Sequence, residues 1–144
     1  MAALLVLIAG AAAAQAASAV TARVISVNDK AELHLVRAFG ETLLEEGKAT
    51  GTLPGTAKIR LHIDAARDSA TASFTFYVHG GTLSGESSGQ ANGGHAGWES
   101  FSGAMHLNHG SGRYAHASGS GHMYGAIYRR TDKLIVQETG QLHY

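Results

Sequence analysis

Nine histidines in a chain of 144 residues are the first chemistry on offer. His106-x-x-His109, with His95, His116 and His122 nearby, sets out imidazoles of the kind that ligate metal ions. In a regular strand, residues three apart point to opposite faces. His106 and His109 could therefore share an ion only if a bulge or the turn at Gly110 re-aimed one of them. No acidic or cysteine partner stands at matching spacing, so the pattern predicts solvated or edge-facing histidines and no metal site. Gly85-Glu86-Ser87-Ser88-Gly89 spells the Gly-x-Ser-x-Gly nucleophile elbow of α/β-hydrolases. That elbow needs a strand turning into a helix at the top of a parallel sheet, and no helical pattern follows it here. Gly110-Ser111-Gly112-Arg113 and Gly119-Ser120-Gly121 resemble phosphate loops only in their glycines, without the Gly-Lys-Ser/Thr ending or a helix N-terminus. Carboxylates stand together at Glu45-Glu46, which alternate faces as strand neighbours, and singly at Glu86 and Glu99. Acid–base catalysis needs two groups converging on one substrate, which spacing alone does not supply. These motifs yield no catalytic residue, no metal and no cofactor.

The elements that would have to position such groups follow from composition. Eleven basic and eleven acidic residues cancel, and only 15% of the chain is charged, so no field recruits nucleic acid or an anionic membrane. The absence of cysteine and the single proline exclude a disulfide scaffold, a thiolate zinc site, a cysteine nucleophile and a proline-rich chain. Residues 1–19 contain only Gly10, Gln15 and Ser18 outside the apolar set. The run Ala2–Ala14 is centred on Leu4-Leu5-Val6-Leu7-Ile8 and is shorter than the roughly 20 residues that span a bilayer. It ends in Ala14-Gln15-Ala16 and Ala17-Ser18-Ala19, both of the small-x-small form that a signal peptidase accepts. The expectation is a secretory signal over residues 1–19, cleaved after Ala16 or Ala19, and a secreted or periplasmic product. No Lys or Arg precedes Arg23, and the alternative is a buried Ala/Leu helix. No membrane span is expected.

Residues 20–144 show a period of two. Ile59, Leu61 and Ile63 share one face against Lys58, Arg60 and His62 on the other. Phe74, Phe76 and Val78 alternate in the same way, and Ala65-Ala66-Arg67-Asp68-Ser69 joins the two segments as a hairpin. Further strands are expected at Arg23–Val27, Glu32–Arg37, Thr42–Leu53, Thr82–Gln90, Phe101–Asn108, Gly121–Arg129 and Lys133–Tyr144. Turns are expected at Asn28-Asp29-Lys30, Pro54-Gly55, Gly80-Gly81, Asn92-Gly93-Gly94, His109–Gly112 and Arg130-Thr131-Asp132. Ala38–Ala49 is the one segment where a short helix, stopped by Gly47, competes with a strand. The fold class is all-β: a single closed antiparallel barrel of about eight strands, preceded by a signal peptide.

Gly110-Ser111-Gly112-Arg113-Tyr114-Ala115-His116-Ala117-Ser118-Gly119 resembles the Gly-Gly-Thr-Gly-Lys/Arg-Phe-x-x-Ala-x-Gly stretch of the allene oxide cyclase and dirigent-like barrels. Gly121-His122-Met123-Tyr124-Gly125 and the final strand stand where that family places its last strands, so the likeness covers roughly the last third of the chain. The resemblance implies an eight-stranded antiparallel barrel, secreted in the dirigent branch, with a lumen for a small apolar ligand. The catalytic groups of the plant cyclases find no matching motif here.

Inward parity independently directs Phe74, Phe76, Phe101, Met105 and Leu107 into the lumen, facing strands that carry Gly85, Gly89, Gly103, Gly119 and Gly121. If the glycines leave space, these five side chains bind a small apolar molecule without catalysis. If large and small residues interdigitate, the core is filled and the protein is structural or surface-interacting. A cyclase or isomerase would in addition need polar groups converging in the pocket.

Overall fold

Alternation of apolar and polar residues carries through eight strands in the structure, a computed structural model that describes residues 22–144. The expected signal segment lies outside the described residues. The strands are β1 (Val24–Phe39), β2 (Thr42–Gly51), β3 (Gly55–Asp64), β4 (Ser69–Val78), β5 (Gly81–His95), β6 (Trp98–Gly110), β7 (Ser118–Tyr128) and β8 (Lys133–His143). Each pairs antiparallel with the next, and β8 returns to β1 from Val24↔His143 to Leu33↔Leu134, closing the barrel. Arg23 and Tyr144 extend that seam by exchanging two backbone hydrogen bonds of 2.7 and 2.9 Å. Closure gives every strand a partner on both sides and leaves mainly the projecting ends of β1 and β5 paired on one, which limits pairing with other chains.

Two expected turns are strand instead. Asn28-Asp29-Lys30 has turn composition, yet it lies within β1, paired with Thr139, Glu138 and Gln137 of β8. Tertiary partners outweigh local preference there. The Asn28 backbone N–H donates to Thr52 Oγ1 at 3.0 Å, and Asp29 Oδ1 accepts from the Leu53 backbone N–H at 2.9 Å. Asn92-Gly93-Gly94 likewise stays within β5, where the β5–β6 register shifts between Ala91 and Gly93, and the chain reverses at Ala96-Gly97. Both turn residues have positive φ, 53° at Ala96 and 87° at Gly97, as a two-residue type I′ hairpin requires. The Ala38–Ala49 segment is strand and hairpin, not helix. The only helical element among the described residues is the 3-10 turn Gly112–Tyr114, and none is long and apolar enough to cross a membrane.

The core is the lumen. Leu33, Leu61, Leu83, Ile127, Leu134 and Leu142 are its deepest side chains, each at most 2% exposed. Outward positions such as Lys58, Arg60, His62 and Ser88 are solvated, the reverse of the apolar-out pattern of membrane barrels. The glycines are cradles more than vacancies. The Phe101 ring lies over its register partner Gly125, where a Cβ would collide with it, and Phe74 lies over Gly85 in the same way. Gly103 leaves no spare room either, because a Cβ there would run into the Ser88 carbonyl of the neighbouring strand.

Gly125→Ala should therefore overpack the lumen and cost about 1–3 kcal/mol in urea unfolding. The penalty should shrink to under about 1 kcal/mol in a Phe101→Leu background, since the two sites share one space. Equal penalties in both backgrounds would show that the ring is not what occupies the cradle. Ala96→Asn should raise stability by about 1 kcal/mol, because asparagine tolerates the left-handed backbone that alanine resists.

Candidate functional site

Inward parity on β1 and β8 places two carboxyls where only apolar residues would be expected. Asp29 shares its face with Ala31 and Leu33, Glu138 shares its face with Leu134 and Val136, and the two are direct cross-strand partners. Both are buried, at 9% and 6% exposure. They border a cavity of about 40 Å³ whose walls include Val27, Leu53, Phe76, Leu83, Met105 and Leu107. A water needs about 10–15 Å³ of such space, so the cavity admits a few waters or a guest of a few heavy atoms.

Among the described residues the β2–β3 turn supplies the only hydrogen bonds to the pair. Leu53 donates its backbone N–H to Asp29 Oδ1, and Gly51, at φ 128°, lets the chain pass where a side chain would strike that carboxylate. Among the described residues Glu138 has no hydrogen-bond or salt-bridge partner, and Asp29 has no cationic one. Lys30 borders the cavity, but its ammonium turns outward to Glu32 Oε1 at 2.9 Å. Burial, and next to it the Asp29 carboxylate, push the Glu138 carboxyl up to about 8. Burial also raises Asp29, opposed by the backbone N–H groups of Leu53 and Thr52. At neutral pH the pair thus holds a proton: it can donate one hydrogen bond, accept others, or release the proton to admit a cation.

The five residues named from sequence divide among three places. Phe76, Met105 and Leu107 line this cavity. Phe74 is sealed in the packed middle, over Gly85 and 5.1 Å from the Phe76 ring. Phe101 borders a separate hollow of about 260 Å³ at the opposite mouth, with Leu61, Ala70, Ile127 and Arg129. The mouth on the Leu53 side also carries the Gly112–Tyr114 turn, with Tyr114 buried 4.9 Å from the Tyr144 ring and the Arg113 guanidinium over both rings.

The Asp29–Glu138 pair escapes a reading of motifs because its members are 109 positions apart. Its signal is parity: a carboxylate in phase with the apolar residues of its own strand. Glu45 carries the same signal on β2, in phase with Leu43 and Ala49, while Glu46 faces outward to Lys58. Glu45 is 1% exposed, and neither carboxyl oxygen has a partner among the described residues. Burial, assisted by the charge of Asp132, pushes it up to about 7.

A break in register at Asn108 leaves His106 opposite Glu86 and His109 opposite Ser84, so the two imidazoles do share the outer face. Among the described residues no three histidine, aspartate or glutamate side chains gather in a way that could hold a metal ion. Ser87 is buried with no helix after it, which leaves the Gly-x-Ser-x-Gly match a strand segment. No family model, curated protein or solved structure matches the chain.

The buried glutamates set the pH dependence of stability. From an ordinary value of 4.5, Glu45 and Glu138 rise to about 7 and about 8, so the folded barrel keeps protons that the unfolded chain has lost. Their stabilising contribution is therefore full below about 4.5 and falls as pH rises toward about 8. Glu45→Leu should flatten that decline and, by removing two unsatisfied oxygens, raise stability by about 1–3 kcal/mol, most clearly above pH 7. Urea titrations at pH 5 and pH 8.5 check this, and an unchanged pH slope would show that Glu45 is not a buried acid.

Proposed function

We propose that this is an exported barrel protein that binds a small, largely apolar molecule in its lumen without chemistry of its own. The observation that carries the reading is the cavity beside Phe76, Met105 and Leu107, with Glu138 buried at its wall and lacking a partner among the described residues. A polar group enclosed without a partner is costly unless something answers it, and a guest held by apolar walls and oriented by one polar contact is the usual arrangement of a ligand pocket. Export is supported by the apolar segment with its small-x-small endings and by a barrel whose eight strands all begin after Arg23. The eight-stranded closed topology also agrees with the resemblance to the allene oxide cyclase and dirigent-like barrels. A second reading, a cyclase or isomerase, is favoured by one feature: a carboxyl that keeps its proton at neutral pH inside an apolar pocket.

Calorimetry with 1-propanol, chelator present, tests the binding reading. Binding should show a negative heat-capacity change. Ala49→Leu, at a cavity-wall position 2% exposed, should weaken it at least tenfold while the β spectrum is kept. Absence of binding by the wild-type protein would overturn the lumen reading in favour of a filled-core structural protein. Binding lost to chelator would return the histidines to consideration as metal ligands. N-terminal sequencing of secreted material should find a chain beginning at Ala17 or Val20, whereas intact Met1 on cytosolic protein would refute export.

A further inference from the structure

We propose that the lumen selects a small primary amine, its ammonium seated between Asp29 and Glu138 and its short hydrocarbon body lying along Phe76, Leu83 and Met105. The inference rests on the reading of the lumen as a binding site and assigns the chemical class of its ligand.

Four observations converge. The two carboxyls are register partners on the inner face, so their Cβ atoms stand about 4.5–5.5 Å apart. An ammonium can bridge groups at that separation, donating to both. Glu138 is 94% buried, counted from its 6% exposure, and borders the cavity with no partner among the described residues. Asp29 accepts from the Leu53 N–H, with the Thr52 N–H also turned toward it, and a carboxylate with about four acceptor sites keeps others for a donor with three N–H bonds. Among the described residues no cation answers the pair, since Lys30 is committed outside the barrel to Glu32.

The other ligand classes fit less well. A carboxylate or phosphate would be repelled by the negative charge that the pair carries. A pure hydrocarbon would leave both unpaired, at the cost of any unanswered buried polar group. Calcium takes six to eight oxygens and magnesium an octahedron, whereas the inner wall offers two carboxyls among apolar side chains. An alcohol brings one O–H donor and no charge. The cavity of about 40 Å³ limits the hydrocarbon body to a few carbons. Among the titratable groups of the described residues only Asp29 and Glu138 face the space, with Lys30 bordering it from outside, so cation entry should expel the proton that the pair holds at neutral pH. The balance is simple: an ammonium enters, one proton leaves for solvent, and the lumen's charge is unchanged.

The test is calorimetry at pH 7 on the full protein with n-propylamine, 1-propanol and propionate, each in two buffers of different ionisation enthalpy. Propylamine should bind at least tenfold more tightly than propanol, with a buffer-dependent heat reporting release of up to one proton. Propionate should not bind. Glu138→Gln keeps shape and removes charge; it should cost propylamine tenfold or more and change propanol little, and Asp29→Asn serves as the second variant should the first not fold. Propanol binding as tightly as propylamine, or propylamine binding without proton release, overturns the amine assignment and leaves the lumen reading standing. Silence from all three probes overturns both.

Discussion

The pairing of β1 with β8 is the constraint on which everything else depends. Side chains alternate with a period of two, so the register of that seam decides at once which residues of both strands face the lumen. A slip of one residue would release Asp29 and Glu138 to water, but it would also turn Ala31, Leu33, Leu134 and Val136 out of the core. The carboxyls are held inside by the apolar residues in phase with them. Ladder and core therefore supply the free energy that keeps ionisable groups in a dry interior, and the site exists at the expense of stability that a leucine in either position would have added.

Much of this was legible in the residues, and the part that was not has a physical cause. Strict alternation at Lys58–Ile63 and Ser73–Val78 gave those strands and their inward faces, and the hairpin between them lies where Ala65–Ser69 implied. The boundaries failed where turn-forming composition had a long-range use. Asn28-Asp29-Lys30 is strand because its hydrogen-bonding partners, Thr52 and Leu53, arrive from another hairpin. The lining residues Phe76, Met105 and Leu107 followed from parity, whereas the separation of Phe74 and Phe101 from the cavity depends on how far each lies along the barrel axis. Parity says which way a residue points and nothing of its depth. The acid pair was hidden for a further reason: convergence of residues from the two ends of the chain is a property of closure, invisible to local spacing.

Glycine shows the same limit. A run of small residues opposite large ones suggests a hollow, but at Gly85 and Gly125 the hollow belongs to an aromatic ring from the neighbouring strand. At Gly103 the neighbouring backbone itself comes too close for any side chain. The middle of the lumen is accordingly packed, and its free volume lies toward the two mouths: a small cavity beside the Asp29–Glu138 pair and the hollow at Phe101. Beside Asp29 and Glu138 the space is bordered by two acids that face each other across the seam, which sets that cavity apart from an ordinary packing defect.

The seam also has a consequence in time. β1 finds its second partner only in β8, the strand furthest from it in sequence, so a ribosome delivers β1 first and its neighbour last. Until then β1 presents an open edge, and the sheet cannot enclose its own apolar face. Contacts of such long sequence separation make folding slow relative to helical chains of this size. On the proposal that the chain is exported, that delay is an advantage: the chain remains threadable through synthesis and acquires its resistance to unfolding only after the final strand is free to dock.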